Sequence, residues 1–481
     1  MPDDIRIELP ATAVKAIGIL EDAGYEAWCV GGYVRDALMG IDGGDGDIAT
    51  SARSEQTMML FEEAGYRTLD TGIAYGTVTA LVDGETFEIT TYRADGSYSD
   101  ARHPDAVSFV GSIEQDLARR DFTINAMAYH PERGLLDPYG GRQDIADRRI
   151  RTVGDPHRRF EEDALRILRG LRFVSKLGFG LSESTYRAML ERSVLLVRIA
   201  PERMAKELDG LLCGAHVHRA LMEGADILGV VIPELMPCCG FDQHSPWHKY
   251  TVYEHIAYVV QNSPATAFAR WCALMHDIAK PQTFQLDGHG RGHFPRHPAA
   301  SADIARSVLT RLRKPNRFVD DAATVIRYHD TPLRATSTSV RKFLVKKLDG
   351  RSELLYAISD LKIADNLSKQ PEAVRGSLQQ ARDLRSALDA VIQNDEPFRL
   401  DQLAINGRDL QKLGMWPGPR LGETLRDLLD EVVNELRKVE VVPEEEVEAI
   451  NVAIIGRPNA GKSSLTNKLT NNNRSIVSDV A

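Results

Sequence analysis

Cysteine is scarce in this sequence, and long apolar runs are missing. The 481 residues include five cysteines, none of which forms a Cys-x-x-Cys pair, so the sequence gives no sign of a disulfide framework. No uninterrupted apolar run approaches the roughly 18 residues that a membrane-spanning helix needs. Residues 1–4 are acidic, whereas a signal peptide begins with basic residues. We therefore expect reduced cysteines, no membrane partner and a cytoplasmic location.

Basic charge is also in deficit, with 59 lysines and arginines against 69 aspartates and glutamates and a net charge of -10. At first this argues against a nucleic-acid partner. The charge is uneven, however, because residues 142–206 carry a net +6 while residues 423–450 carry a net -7. The basic stretch is either a solvated helix face or a surface that follows a phosphate backbone. Both interpretations stay open at this level.

Two kinds of apolar pattern divide the chain. Residues 10–135 alternate short apolar runs, such as 27–30 and 77–82, with helical stretches, which is typical of a mixed sheet with helices. Residues 155–440 show nearly continuous helical periodicity. The sequence therefore predicts an α+β fold, with a small mixed-sheet head and a long all-α body. At 43% hydrophobic and 27% charged residues, the chain has the composition of a globular protein of several domains.

A glycine pair marks the first candidate site. Gly31 and Gly32 lie between an apolar run that ends at Val30 and a helical stretch that contains Arg35. Glycines at such a junction let backbone N–H groups approach phosphate oxygens at the positive end of a helix. Arg35 would add a side-chain clamp. The pattern alone is a weak indication of a phosphate site.

Two carboxylates follow the glycine pair closely. Asp45 and Asp47 alternate along an extended segment, so their side chains project from the same face. Such a pair can hold Mg²⁺ against a triphosphate. Glu88, in a predicted strand, would supply a third carboxylate. We therefore expect Asp45, Asp47 and Glu88 to be the catalytic carboxylates of the head.

Further motifs follow these residues in a fixed order: Arg119-Arg120-Asp121, then Asp137 to Asp144, then Glu162-Asp163-Ala164-Leu165-Arg166. Together with the glycine pair and the carboxylates, this series resembles class II tRNA nucleotidyltransferases, the CCA-adding enzymes, and their poly(A) polymerase relatives. The resemblance covers roughly residues 10–440. It implies an Mg²⁺-dependent transferase and adds these residues to the nucleotide-binding set: Arg120, Asp121, Asp163, Arg166 and Arg169.

Asp163 and Arg166 suggest how such an enzyme selects bases without a template. They are three positions apart in residues 160–173, which we predict to form one helix, so they share a face. Cytosine and adenine each offer an amine donor beside a ring-nitrogen acceptor, which an acceptor carboxylate and a donor guanidinium can match. Uracil and guanine present the reverse order and leave polar groups unpaired. An intrahelical salt bridge is the structural alternative.

Histidines and aspartates recur through the helical body, and we call the following six residues the His/Asp cage: His255, His276, Asp277, His297, His329 and Asp365. Imidazoles and carboxylates are ligands for divalent metal ions. The adjacent His276-Asp277 pair, with an earlier histidine and a later aspartate, resembles the HD phosphohydrolase superfamily. The resemblance implies a divalent transition metal. Whether the cage catalyses hydrolysis or only stabilises the fold stays open.

The end of the chain carries a P-loop pattern after a predicted strand: Gly456, Gly461, Lys462 and Ser463 fit GxxxxGK[ST]. The segment resembles the start of GTPases that assist ribosome assembly. No DxxG or NKxD segment follows, and one strand with one helix cannot bury a GTPase core. We expect a truncated GTPase fragment, from a fusion or from the end of a gene model, with little GTP binding.

The motifs together predict an enzyme that adds CCA to the 3′ end of tRNA from CTP and ATP and releases pyrophosphate. A poly(A) polymerase, an A-adding enzyme and an RNA-binding protein with an idle transferase site are the alternatives. The sequence does not indicate an oligomeric state. The predicted division is a transferase head at 10–150, a base-selecting neck at 151–240, an HD-type domain at 241–370, a tRNA-binding helical tail at 371–440, and a linker with the P-loop fragment at 441–481.

Overall fold

The computed structural model describes residues 6–41, 46–73, 76–95, 107–245 and 249–435. Asp45 lies outside these ranges. The four P-loop residues also lie outside them, so the predicted nucleotide fragment has no structural account here. Within the described residues, no helix is long and apolar enough to cross a membrane.

The head is built on a seven-stranded mixed sheet in the order β3-β4-β5-β2-β1-β8-β9. Strand β1 runs antiparallel to β2 and β8, while β2 runs parallel to β5. The strands of this sheet are β1 (Ala27–Val30), β2 (Gly46–Thr50), β3 (Arg67–Gly72), β4 (Thr77–Val82), β5 (Glu85–Thr91), β8 (Ala128–His130) and β9 (Gly134–Leu136). The short paired strands are β6 (Arg93–Asp95) with β7 (Val107–Phe109), β10 (Arg149–Ile150) with β11 (Gly180–Leu181), and β12 (Gln285–Leu286) with β13 (Gly292–His293).

Both faces of the central strand β1 are buried, which explains its continuous apolar sequence. Ala27 and Cys29 pack into one cluster of buried side chains, and Trp28 and Val30 pack into a second cluster. Successive side chains of a strand point to opposite faces, so the two clusters lie on opposite sides of the sheet. A strand covered on both sides shows no polar alternation. The helices of the head are α1 (Ala11–Asp22), α2 (Gly32–Leu38), α3 (Ser54–Glu63), α4 (Ile113–Ala118) and α5 (Gly141–Ala146).

The rest of the described chain is helical apart from β10 to β13, which confirms the predicted α+β class. One apolar core extends from Phe122 at the edge of the head to Phe398 near the end of the body. The helices are α6 (Pro156–Glu162), α7 (Leu165–Leu177), α8 (Glu183–Arg192), α9 (Pro201–Leu212), α10 (Val217–Glu223), α11 (Ala225–Val231), α12 (Val252–Asn262), α13 (Ala267–Met275), α14 (Lys280–Thr283), α15 (His297–Arg311), α16 (Asn316–Tyr328), α17 (Ser337–Leu348), α18 (Ser352–Leu367), α19 (Pro371–Gln393), α20 (Gly407–Lys412) and α21 (Pro419–Glu435).

The prediction of one helix over residues 160–173 is wrong. Helix α6 ends at Glu162, Asp163 adopts an extended conformation with φ -145° and ψ 104°, and α7 begins at Leu165. The Asp163 carboxylate accepts a hydrogen bond from the Leu165 backbone N–H at 3.0 Å. A short acidic side chain that bonds to nearby backbone favours such a break over helix continuation. Apolar periodicity runs through both helices, so it did not reveal the interruption.

Candidate functional site

The glycine pair, a carboxylate and an arginine meet at the start of α2. A Cβ atom on Gly31 would lie 2.8 Å from Arg120 Nη1 and 3.4 Å from Asp47 Oδ2. Gly31 also has φ +73°, a conformation that other residues rarely adopt. Glycine is therefore required here because it lets the carboxylate and the guanidinium approach the backbone. Asp47 on β2 is paired in register with Glu88 on β5, so these two carboxylates occupy neighbouring strand positions.

The backbone N–H of Gly31 already has an acceptor within the protein. Its N–H donates a hydrogen bond to the Met127 carbonyl oxygen at 3.2 Å, so it is already engaged. The sequence could not indicate this bond because Met127 is almost a hundred residues away. Gly32 opens the first turn of α2, where the helix itself supplies no acceptor for the backbone N–H groups.

Arg35 is buried behind the glycine pair and held on two sides. Its Nε donates to Asp36 Oδ1 at 2.8 Å, and its Nη1 donates to Asn125 Oδ1 at 2.6 Å. The side chain also lines a large open cleft of about 1360 Å³, together with Gly32, Asp47 and Lys176. A fixed guanidinium at the wall of a cleft is preorganised to meet an anionic ligand.

Asp121 joins the head to the first long helix of the body. Its Oδ2 accepts hydrogen bonds from Arg169 on α7, with Nε at 2.8 Å and Nη2 at 2.7 Å. Burial alone would raise the pKa of Asp121, but the Arg169 charge outweighs burial and lowers the pKa to about 2. The same carboxylate raises the pKa of Arg169. This pair therefore remains ionised at neutral pH and fixes α7 against the sheet.

Asp163 and Arg166 lie near each other in sequence but contact different partners. Asp163 Oδ2 accepts from Arg203 Nη2 at 3.3 Å. Arg166 donates from Nη1 to Glu162 Oε2 at 3.0 Å and from Nη2 to the Arg119 carbonyl at 3.2 Å. The structural alternative of an Asp163–Arg166 salt bridge is therefore wrong.

The His/Asp cage forms inside the helical body, where Asp277 is the centre. Asp277 Oδ2 lies 3.1 Å from His276 Nε2 and 3.4 Å from His255 Nε2. Asp277 Oδ1 lies 3.2 Å from His297 Nε2 and 3.7 Å from His329 Nε2. His255 Nε2 in turn lies 3.0 Å from Asp365 Oδ1. The fold thus brings all six cage residues together from five segments of the body.

Hydrogen bonds fix which nitrogen of each ring faces the centre of the cage. His276, His297 and His329 each place Nδ1 at 2.7 to 2.8 Å from the backbone carbonyl oxygen three residues earlier. A carbonyl oxygen only accepts, so Nδ1 must carry the proton. In a neutral ring Nε2 then presents a lone pair, and it points at the Asp277 carboxylate. A cation stabilises an arrangement in which several hydrogen-bond acceptors face one another at short range.

The pKa shifts around the cage differ from one group to the next. Burial favours the protonated form of Asp277, but His276 and Lys280 outweigh it and hold the pKa well below its ordinary value. Burial lowers the pKa of His329 to about 3, so this ring is neutral at physiological pH. Two sets of ligand atoms lie within 4.8 Å of one another: His255, His276 and Asp365, and His276, Asp277 and His329. The donor set fits a divalent transition metal.

Family models match four parts of the chain. The poly A polymerase head domain matches residues 27–151, and the probable RNA and SrmB-binding site of polymerase A matches residues 178–239. The HD domain matches residues 250–370, and the 50S ribosome-binding GTPase matches residues 451–481. The first three matches fall on the described helices and sheet.

The CCA-adding enzyme of Levilactobacillus brevis is 32% identical over 433 residues, which cover 90% of this chain and 94% of that relative. The crystal structure of the Bacillus stearothermophilus CCA-adding enzyme in complex with CTP superposes with a TM-score of 0.65 at 30% identity, covering 88% of this chain and 92% of that one. The chain belongs to the CCA-adding enzyme family. The CCA-adding enzyme of Geobacillus sp. (strain WCH70) is 50% identical over 210 residues, which are 43% of this chain. In this match the chain spans about half of the relative's length, 51%.

Nucleotidyltransferases of this kind use divalent metal ions. Asp47, with Glu88 beside it, offers the carboxylate oxygens that hard cations prefer. The family motif from Asp137 to Asp144 has a different task. Asp137 accepts from the backbone N–H groups of Gly141 and Arg142 at 2.7 and 2.9 Å, and Asp144 accepts from the Thr123 hydroxyl at 2.6 Å. This motif therefore braces the segment that carries Asp121.

Asn125 is a site residue that the sequence reasoning missed. Its Oδ1 accepts from Arg35, its Nδ2 donates to Asp121 Oδ1 at 3.3 Å, and its carbonyl accepts from Arg120 Nη1 at 3.5 Å. It thus touches three members of the nucleotide-binding set. The one sequence signal is its position four residues after Asp121, just beyond the Arg119-Arg120-Asp121 motif.

Two charged residues that fix site groups were also missed. Asp116, fully buried on α4, accepts from Arg120 Nη2 at 3.2 Å and from Arg119 Nη2 at 2.7 Å. Lys280, three residues after Asp277, places Nζ 2.6 Å from Asp277 Oδ2 and donates to Gln243 Oε1 at 2.9 Å. Their spacing of three or four residues from known site residues was the available signal.

Proposed function

We propose that this protein adds CCA to the 3′ end of tRNA, using CTP and ATP and releasing pyrophosphate. The observation that carries the proposal is the meeting of Asp47, Gly31 and Arg120 at the start of α2, in a chain of the CCA-adding enzyme family. Asp47 and Arg35 also line a wide cleft, which suits a triphosphate held through a cation and through direct charge pairing. The activity is assigned to the cytoplasm, where tRNA and nucleoside triphosphates are available.

Each residue of the head has a separate task in this proposal. Arg35 and Arg120 orient the triphosphate, because both guanidinium groups are already fixed by hydrogen bonds. Asp121 and Arg169 position the sugar and base beside α7. Because these side chains are already ordered, less entropy is lost when the substrate binds in the geometry needed for reaction.

Asp45 and Asp47, with Glu88 nearby, would hold Mg²⁺, which when bound lowers the pKa of the tRNA 3′-hydroxyl and neutralises the triphosphate. The 3′-oxygen attacks the α-phosphorus in line, the bond to the β-phosphate oxygen breaks, and pyrophosphate leaves with its charge. Arg120 remains beside Asp47 and offsets the charge on the phosphates during this exchange.

Base selection is assigned to Asp163 and Arg166 at the break between α6 and α7. They pair with Arg203 and Glu162 rather than with each other, and in this proposal Asp163 also accepts from, and Arg166 also donates to, the edge of an incoming base. Cytosine and adenine share the donor and acceptor order that this pair recognises. Rejection of uracil and guanine follows from the cost of unpaired buried polar groups.

The test is template-free nucleotide addition to three substrates: tRNA that ends before CCA, tRNA that ends before the final A, and complete tRNA. We expect CCA on the first, A on the second and no addition to the third. Addition of A alone to the first, or long A tails on the third, would indicate an A-adding enzyme or a poly(A) polymerase. No addition to any substrate would indicate an RNA-binding protein.

A second function is assigned to the His/Asp cage. It would hold a divalent transition metal and hydrolyse a phosphate ester, and the inward-facing Nε2 lone pairs around Asp277 favour this. The measurement is metal content after loading with Co²⁺, Ni²⁺ or Mn²⁺, followed by release of phosphate from simple phosphomonoesters. Metal binding without hydrolysis would assign the cage a structural role.

A further inference from the structure

A pocket of about 330 Å³ opens directly beside the His/Asp cage. Two cage residues, His329 and Asp365, form part of its wall, and α18 and α19 supply much of the rest. Polar side chains dominate this wall on both helices: Lys362, Asn366, Lys369, Ser377 and Gln380. The pocket therefore gives the cage a route to solvent that is lined by hydrogen-bond donors.

The two lysines of this pocket differ in their partners. Lys369 Nζ lies 2.6 Å from Asp365 Oδ2 and is tied to the cage. For the Lys362 ammonium, the described residues offer no hydrogen bond and no carboxylate within ion-pair distance, although the side chain is half-buried. Asp330 and Asp365 are the acidic groups whose charge acts on it. A half-buried ammonium without a direct partner has donors left for an anion.

We propose that this pocket is a phosphate subsite, in which Lys362 and Lys369 bind the oxygens of a phosphomonoester or of inorganic phosphate next to a metal ion in the cage. The proposal rests on the metal binding assigned to the cage above. Without that cation, Asp330 and Asp365 offset the two lysines and leave no net attraction for a dianion. With a divalent cation in place the pocket becomes positive, so phosphate binding should depend on the metal.

The pocket volume also limits what can enter. A volume of about 330 Å³ lies near the lower end of the range for small-molecule sites. It can accept a phosphate group with one sugar or base, while a longer chain would have to extend into solvent. Gln380 on α19 offers a neutral hydrogen bond to such an ester.

The experiment uses the full chain loaded with Co²⁺, because imidazole-bound Co²⁺ absorbs visible light and reports only on the cage. Inorganic phosphate is titrated while the visible spectrum is recorded. We expect a saturable change in the wild-type spectrum. In Lys362→Met, which keeps the apolar stem and removes the charge, the dissociation constant should rise about tenfold or more. Lys362→Arg should recover most of the affinity.

Lys347→Met is the matched control, because Lys347 is an exposed lysine on α17 outside the pocket. The phosphate affinity of this variant should equal that of wild type. An unchanged dissociation constant in Lys362→Met would overturn the subsite, as would a wild-type spectrum that does not respond to phosphate. Failure of the metal site itself gives a different result, because the visible cobalt band would then be missing from the wild-type protein. The His276→Ala variant provides the reference spectrum in which the cobalt band is missing.

Discussion

The transferase head and the His/Asp cage surround their carboxylates with different groups. In the head, carboxylates meet guanidinium groups: Asp121 binds Arg169, and Asp36 binds Arg35. In the cage, imidazole Nε2 atoms and the Lys280 ammonium surround the carboxylate of Asp277. The head therefore holds its shape through its own ion pairs, while the cage gathers imidazole nitrogens that we propose bind a cation. A preorganised cleft suits a substrate that comes and goes, whereas the cage suits a resident metal.

The largest expected effect tests the head. Asp47→Asn keeps the size of the side chain and removes its charge, so metal-assisted transfer should fall about 1,000-fold, the equivalent of roughly 4 kcal/mol in activation free energy. The rate of CTP addition to tRNA lacking CCA measures the loss, and tRNA affinity should not change.

Asp303→Asn is the control for charge alone, since Asp303 is exposed and pairs with Arg327 on the surface of the body. Its addition rate should match wild type. An Asp47→Asn enzyme with more than a tenth of the wild-type rate would remove Asp47 from the catalytic set.

A smaller effect is expected where a neutral amide, Asn125, links the charged groups of the head. Asn125→Asp keeps the acceptor for Arg35 but replaces the donor to Asp121 with a second carboxylate. Misplacing these groups should lower kcat/KM for CTP by about 10-fold to 100-fold. Steady-state kinetics gives the value, and the melting temperature shows whether folding has changed. Equal kinetics in the variant and wild type would show that Asn125 only supports the fold.

The pair between Asp121 and Arg169 gives a pH-dependent prediction. Burial favours the neutral form of Asp121, yet Arg169 lowers the pKa to about 2, compared with about 3.9 in an unfolded chain. A lowered pKa stabilises the folded state above about pH 4, and this contribution is lost as the pH falls toward 2. Asp121→Asn should therefore cost about 2 to 3 kcal/mol in unfolding free energy at pH 7, and less below pH 4.

Urea unfolding at a series of pH values provides the comparison. Glu183→Gln serves as the control, since Glu183 pairs with Arg187 on an exposed helix face and should contribute little at any pH. A difference between Asp121→Asn and wild type that stays constant down to pH 3 would contradict the lowered pKa.

The smallest expected effect concerns the end of the chain. Deleting residues 441–481, which carry the GTPase-like match, should leave CCA addition within error of the full chain, because the head and the cage lie before that segment. Calorimetry with GTP on the full chain and on Lys462→Ala tests for a nucleotide site directly. A micromolar site lost in Lys462→Ala would show that the P-loop binds nucleotide.

Local patterns predicted the parts of the fold that depend on local forces. The apolar runs at β1 and β4 were correct because β1 is buried throughout and β4 along most of its length, and such runs have few alternatives. The break at Asp163 escaped prediction because the apolar period continues across it. A side-chain bond to one backbone N–H decided the local conformation there.

Long-range contacts were the part of the site that sequence could not supply. Arg35 and Asn125 are 90 residues apart, and nothing near Asn125 indicates that it binds an arginine of the head. The engaged amide of Gly31 is similar, since its acceptor lies on a distant strand connection. Family resemblance selected segments that the fold brings together, while the partners of each residue depend on how the strands and helices pack.

One measurement tests most directly whether the transferase head and the His/Asp cage act independently of each other. The double variant His276→Ala with Asp277→Ala is assayed for CCA addition to tRNA lacking CCA, at a temperature well below its melting point, with the cobalt spectrum recorded on the same sample. The variant should add CCA at the wild-type rate while its cobalt band is absent. Loss of addition in a folded variant, or a cobalt band that persists, would contradict the division into a self-paired transferase head and a metal-completed cage.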